Sequence, residues 1–392
     1  MSRPSARSRA WLAAGVLGAV GAAYAGGVLT GIAGSREPAP PQSVVDEAAD
    51  RIAESASREV DRAVLERAAV EGMLKALGDR WSTYLPAADF AAFTDTLEGR
   101  YSGVGLWVRQ GYDEVLLVGS VQSGSPAEVA GLRAGDELVA VAGTPVAGRT
   151  TAEVVAALRG DPGTSVTVTV RRAGGDEVVT LTRATLAADD VSLDARKGGV
   201  SVLRVAAFTR GVGTQVRAAL AAADPATYRT GIVLDLRANP GGLLDEAVDV
   251  AGAFLDGGPV VSYERRGQPD RTLETYDAGD TATGLVVLVD AGTASAAEVV
   301  AAALQDRNRA VVVGAQTFGK GSVQEPSKLS DGSALELTVG RYLTPNGRVI
   351  DGVGVEPDVV VGATVSPRTA ERRAIEVLTG LTAALATADG RG

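Results

Sequence analysis

Residues Gly231–Leu255 read GIVLDLRANPGGLLDEAVDVAGAFL. A short apolar run, a Pro-Gly-Gly turn and a helix-spaced apolar segment follow one another, which predicts a buried strand, a glycine turn and a helix to Leu255. The same unit recurs on both sides. GVSVLRVAAF (199–208) precedes a helix to Ala222, GLVVLVD (284–290) precedes a helix after Ser295, and AVVVG (310–314) is another strand. Strands alternating with helices predict a parallel-rich α/β core.

The flanks read differently. VGLWV, VLLVGSV, DELVAVAG and SVTVTVRR, between Tyr101 and Leu186, are short strands broken by Gly, Pro and Asp, with one helix, TAEVVAALRG. Residues 323–361 read as β-rich, and SPRTAERRAIEVLTGLTAALA as a final helix. Val44–Leu77 has helical spacing and ends on Gly78, a C-terminal cap; DRWSTYLPAADFAAFTDTLEG (79–99) gives a turn and a short second helix.

Ahead of these, Arg3, Arg7 and Arg9 precede 26 uncharged residues, 10–35, long enough to span a bilayer with the N-terminus in the cytoplasm. Ala23-Tyr24-Ala25 admits the alternative of a cleaved signal peptide. Either reading puts the rest of the chain outside the cytoplasm. EPAPPQ (37–42) is a linker.

Composition narrows the chemistry. The chain has 392 residues, a net charge of −10, no histidine and no cysteine. Thiol catalysis, disulfides, His-based triads and HExxH metal helices are excluded, and the acidic balance disfavours nucleic acid as a partner. Only four lysines, Lys75, Lys197, Lys320 and Lys328, stand among 38 basic residues. Lysine can give up its proton and arginine cannot, so a lysine in an unusual context is informative.

Three segments concentrate the candidate chemistry: LDLRANPGG, DAGTASAAE and TFGKGSVQ. Gly314–Lys320 fits the opening of a phosphate-binding loop, but Gly321 replaces the Ser or Thr that magnesium needs, and SVQEPSK reads as strand rather than helix. That reading is rejected. Taken singly, Ser295 reads as a helix N-cap, Lys320 as a solvated loop cation, Asp235 as the residue holding the NPGG turn and Glu298 as a capping partner.

Together with GRYSGVGL and RYLTPNGRVIDGVGVEPD, the three segments resemble the carboxyl-terminal processing peptidases, serine proteases that use a Ser-Lys pair. SGVGL with SPAEVAGLRAGDELVAVAG resembles a bacterial-type PDZ domain. The resemblance implies a crotonase/ClpP-like layered α/β core with an inserted β-rich PDZ domain and an N-terminal helical segment. The segments are 1–36 anchor or signal, 37–100 linker and helices, 101–186 PDZ, 187–365 peptidase core and 366–392 C-terminal helix. It implies Ser295 as nucleophile, Lys320 as general base, Gln324 as the residue orienting the lysine, and Gly241 and Ala296 as oxyanion donors. It also implies a peptide groove at Gly103, Val104, Gly105 and Leu106 with Val154, Val155 and Leu158. Desolvation would free the lysine to act as a base, and a neutral glutamine suits it better than a carboxylate would. No cofactor or metal is expected, and the partners are protein substrates with free C-termini, the membrane through the N-terminal segment, and a further copy in a homo-oligomer. A non-catalytic PDZ scaffold or chaperone on the same fold is the alternative.

Overall fold

The computed structural model describes residues 43–110, 115–122, 124–362 and 365–389. The leader and linker read from residues 1–42 lie outside them. Among the described residues no helix is long and apolar enough to cross a membrane.

The chain divides at Gly78. Before it lie α1 (Val44–Ser55) and α2 (Arg62–Leu77). The helical pattern expected over 44–77 breaks between them, because Ala56 is extended and the Asp61 carboxylate starts a new helix by accepting Ala63 N–H. Arg62 joins the two helices through an ion pair with Asp50. Gly78 closes α2 at φ +65°, a conformation glycine adopts without strain. Residues 43–78 fall in the first unit and residues from Asp79 onward in the second.

That unit opens with β1 (Thr83–Leu85), α3 (Ala87–Leu97) and β2 (Arg100–Gly103). A small β domain follows. It comprises β3 (Leu106–Gln110), β4 (Leu116–Val121), α4 (Pro126–Val129), β5 (Glu137–Val141), β6 (Thr144–Pro145), α5 (Thr151–Leu158), β7 (Ser165–Arg172) and β8 (Gly175–Thr182). Its sheet runs β3-β4-β5-β7-β8, all antiparallel. In β7 the alternation SVTVTVRR buries Val166, Val168 and Val170 against Val118, Leu138 and Leu181. Strand β2 enters the domain, and β9 (Ala184–Ala187) pairs with it antiparallel on leaving.

The α/β core consists of β10 (Val191–Arg196), β11 (Val200–Val205), α6 (Val212–Ala222), β12 (Gly231–Asp235), α7 (Leu244–Gly252), β13 (Asp256–Arg265), β14 (Arg271–Ala278), β15 (Leu285–Val289), α8 (Ala296–Asp306), β16 (Val311–Gly314), β17 (Ser322–Lys328), β18 (Ala334–Leu343), β19 (Val359–Val360) and α9 (Pro367–Asp389). Its main sheet has the order β10-β11-β12-β15-β16-β19, parallel from β11 to β19 with β10 antiparallel at the edge. Ile232, Leu234 and Val287 pack with α6, α7 and α8 on one face, while Val233, Val286 and Leu288 pack with Ala374 and Leu378 of α9 on the other. Burial on both faces is why these strands are continuous apolar runs. A second, antiparallel sheet, β1-β18-β13-β14 with β17 beside β18, packs through Val260, Val261 and Tyr342 onto the α6–α8 side of the core. The segment after Lys320 is strand β17, with no helix to receive a phosphate.

Candidate active site

Parallel pairing brings the carboxyl ends of β12, β15 and β16 to one edge of the sheet, where open α/β folds place ligands. The NPGG turn, the loop before Ser295 and the loop carrying Lys320 leave that edge side by side.

Polar side chains knit the first two loops together. Asp290 Oδ1 accepts Ala238 N–H at 2.9 Å and Gly292 N–H at 2.9 Å. The buried Thr293 hydroxyl donates to Leu236 O at 2.8 Å. Fully buried Asn239 accepts Ala294 N–H on its carbonyl at 2.9 Å, and its side chain donates to Val205 O at 2.9 Å. Asp235 is 2% exposed and accepts from the Arg237 backbone and guanidinium, so it holds the turn.

Ser295 sits at the start of α8 with φ +54° and ψ −121°, outside the regions that suit an L residue. Such a conformation costs about 1–3 kcal/mol and persists only where its surroundings over-determine it. The serine carbonyl accepts Glu298 N–H at 2.8 Å and so opens the helix. Gly241 packs directly on the elbow: a Cβ there would lie 2.9 Å from Ala294 O and 2.9 Å from Ser295 Cβ. Only glycine fits, both for space and for φ +104°.

Glu298, one turn into α8, is fully buried. Its Oε2 accepts Ser295 N–H at 2.9 Å and Lys320 N–H at 2.9 Å; its Oε1 accepts Gly319 N–H at 2.8 Å and the Thr317 hydroxyl. The residue expected to cap its own helix therefore also clamps the lysine loop to the serine elbow. Phe318 N–H donates to Thr293 O at 3.0 Å, a second tie between the same loops.

The side chains of the expected catalytic set are nearby but not joined. Ser295 Oγ and Lys320 Nζ make no hydrogen bond to each other among the described residues. Lys320 Nζ instead lies 5.5 Å from the centre of the Trp81 ring. Gln324 Nε2 donates to Trp81 O at 2.6 Å and makes no hydrogen bond to the lysine side chain among the described residues. Burial pushes the Glu336 carboxyl on β18 up, and the Lys320 charge opposes that shift. Of the expected oxyanion donors, Ala296 N–H has no partner among the described residues, as befits the first residue of a helix. Gly241 N–H donates to Asn239 Oδ1 at 2.9 Å, and in the same turn it is Gly242 N–H that has no partner among the described residues.

Trp81, Asn239 and Thr317 join the site without an assigned role in the sequence. DRWSTYL carries a turn signal, and the structure shows its use: Asp79 accepts Trp81 N–H at 3.1 Å and Ser82 N–H at 3.0 Å. β1 pairs with β18, which carries Trp81 to the lysine.

The small β domain holds a groove of about 280 Å³. Gly103, Val104, Gly105 and Leu106 line one wall, and Val155 and Leu158 of α5 line the other. Val154, expected in the groove, is fully buried and faces the domain core; adjacent helix positions point about 100° apart, so Val155 takes the groove wall. Gly105 is at φ +78°, and a Cβ there would strike Ser125 Cβ at 2.2 Å. Asp189 and Asp190, beyond β9, also line it. Burial pushes the Asp190 carboxyl up, with the Thr209 hydroxyl opposing and the Asp189 charge adding to it.

Two outcomes follow from this geometry. Glu298→Gln puts an NH2 group against donors and removes the charge that four of them share; loss of roughly 2–4 kcal/mol is expected in urea denaturation of the core. An unchanged midpoint would contradict the clamp. Asp190 ionises less readily in the folded than in the unfolded chain, so wild-type stability falls as pH rises through the raised folded value. Asp190→Asn is therefore expected to melt higher than wild type at pH 7, with the difference closing below the ordinary value of 3.8. A pH-independent difference in calorimetry would contradict this.

Comparison with known proteins places these features. Residues 199–361 match peptidase family S41 and residues 117–172 match a PDZ domain. A probable CtpA-like serine protease of Staphylococcus aureus (strain bovine RF122 / ET3-1) is 38% identical over 300 residues, 76% of this chain and 60% of the relative's length. A carboxy-terminal-processing protease of Bartonella bacilliformis is 37% identical over 310 residues, 77% of this chain and 70% of its own. The solved photosystem II D1 C-terminal processing protease superposes with a TM-score of 0.51 at 32% identity, covering 84% of this chain and 89% of that one. The chain thus spans about 60% of the length of the staphylococcal relatives and most of the length of the others. With the strand-edge serine and lysine loops and the grooved β domain both accounted for, the chain belongs to the S41 peptidase family, among the carboxy-terminal-processing proteases, and carries a PDZ domain.

Proposed function

We propose that this protein is an extracytoplasmic serine endopeptidase that takes the C-terminus of a protein substrate in its PDZ groove and cleaves the chain at Ser295. The observation that carries the reading is the Glu298 carboxylate, which accepts the backbone N–H of Ser295 and that of Lys320 and so holds the two residues on adjoining loops. On this reading Lys320 takes the proton from Ser295 Oγ as it attacks the scissile carbonyl, then delivers it to the leaving amine. Gln324, released from Trp81, orients the lysine. Ala296 N–H and the Gly241–Gly242 turn hold the developing oxyanion. Water then resolves the acyl-enzyme with Lys320 again as base.

The layering of the parallel core under an antiparallel sheet is read as the crotonase/ClpP-like type. The uncharged run at 10–35 either anchors the chain or exports it, and both place the peptidase outside the cytoplasm. The unjoined Ser295 and Lys320 side chains favour a resting state that PDZ occupancy converts to an active one.

The test uses purified protein and an unfolded substrate with a free or an amidated C-terminus, across pH 6 to 10. Degradation is expected for the free C-terminus, with a drop of about 10³-fold or more for Ser295→Ala and for Lys320→Ala. Proteolysis that survives Ser295→Ala, or none from the wild type with PDZ ligand supplied, would overturn the reading.

A further inference from the structure

The candidate base lies against Trp81, a residue outside the three segments that carry the candidate chemistry. Trp81 meets both members of the pair proposed to serve Ser295: its ring centre lies 5.5 Å from Lys320 Nζ, and its carbonyl accepts the Gln324 amide at 2.6 Å. The indole is fixed by its faces and not by its N–H, since Nε1 is buried without a partner among the described residues. The Arg80 guanidinium lies 4.6 Å from the ring centre, and the Phe318 ring is 5.8 Å away at 52°. Phe318 stands two residues before Lys320 and donates its N–H to Thr293 O, so the ring cluster ties the 79–85 strap to the lysine loop. The strap is itself anchored, through the Asp79 turn, the bond from Thr338 N–H to Ser82 Oγ at 3.1 Å and the pairing of β1 with β18.

We infer that Trp81 is a positioning residue for the Ser-Lys pair: its ring face holds the Lys320 ammonium, and its carbonyl holds Gln324, away from Ser295 in the resting protein. An indole face attracts an ammonium through the ring quadrupole more strongly than phenyl does. The inference rests on the Ser-Lys reading above. The charged groups around Lys320 Nζ include Arg80, on the same indole, and Glu336, on the strand that pairs with the strap. Glu336 could hold the ammonium instead, and the test separates the two.

The measurement is the rate at which each lysine of the intact folded protein reacts with an amine-specific acylating reagent at fixed pH, read by peptide mass spectrometry. Lys75, Lys197 and Lys328 serve as internal references. Lys320 is expected to react about three- to tenfold faster in Trp81→Leu than in wild type, the range loss of one cation–π contact gives, with Trp81→Phe in between and the references unchanged. Glu336→Gln is expected to leave the Lys320 rate near wild type. Should the leucine variant melt below the assay temperature, a rise in the phenylalanine variant supports the inference in its place. Equal Lys320 rates in all folded Trp81 variants, or a rise confined to Glu336→Gln, would overturn the inference. Failure of the Ser-Lys reading registers separately, as fluorophosphonate labelling of Ser295 that Lys320→Ala leaves intact.

Discussion

A buried carboxylate shared by two loops is the constraint on which the candidate site depends. Glu298 lies in α8 and Lys320 is 22 residues on, beyond strand β16, yet the Glu298 oxygens take hydrogen bonds from Ser295, Lys320, Gly319 and Thr317. An ionised carboxylate removed from water is costly unless its lone pairs are filled, and here four donors fill them. Each of those donors belongs to a loop that would otherwise leave polar groups unmet. The carboxylate and the loops therefore satisfy one another, and the strained φ of Ser295 is held by that mutual fit.

The sheet explains why these loops meet at all. Parallel strands deliver their carboxyl ends to one edge, so turns distant in sequence leave the core as neighbours. Asn239, Asp290 and Thr293 then bind loop to loop through side chain to backbone bonds, and Gly241 closes the gap that any Cβ would obstruct. The result is a backbone floor cross-linked by hydrogen bonds beneath the candidate side chains. Lys320 Nζ and the Gln324 amide both engage Trp81, while Glu298 holds the Lys320 backbone beside Ser295.

Much of this was legible in the residues. Apolar runs such as LVVLV and alternating ones such as SVTVTVRR read as strands, and the structure has them so. The serine before AAE and the rare lysine stand out in a chain without histidine, and the structure brings their two loops together through Glu298. Other features were not legible, for identifiable reasons. In TAEVVAAL two adjacent valines compete for the groove, and an eight-residue helix rich in small apolar side chains leaves its phase open. Glu298 carries the mark of an ordinary cap, and nothing local reveals that it also reaches Lys320. Trp81 is 243 positions from Gln324 and meets it only because β1 pairs with β18. The two N-terminal helices looked continuous because their apolar spacing survives a break that Asp61 imposes.

Covalent chemistry at one oxygen is the centre of the proposed mechanism. Rapid acid quenching of the protein during turnover of an unfolded substrate, followed by mass spectrometry of the peptide containing Ser295, reports it directly. This peptide is predicted to gain the mass of the substrate fragment on the amino side of the cut, as an ester that hydroxylamine removes. Steady turnover with no adduct on Ser295, or with the adduct on another residue, would contradict the mechanism.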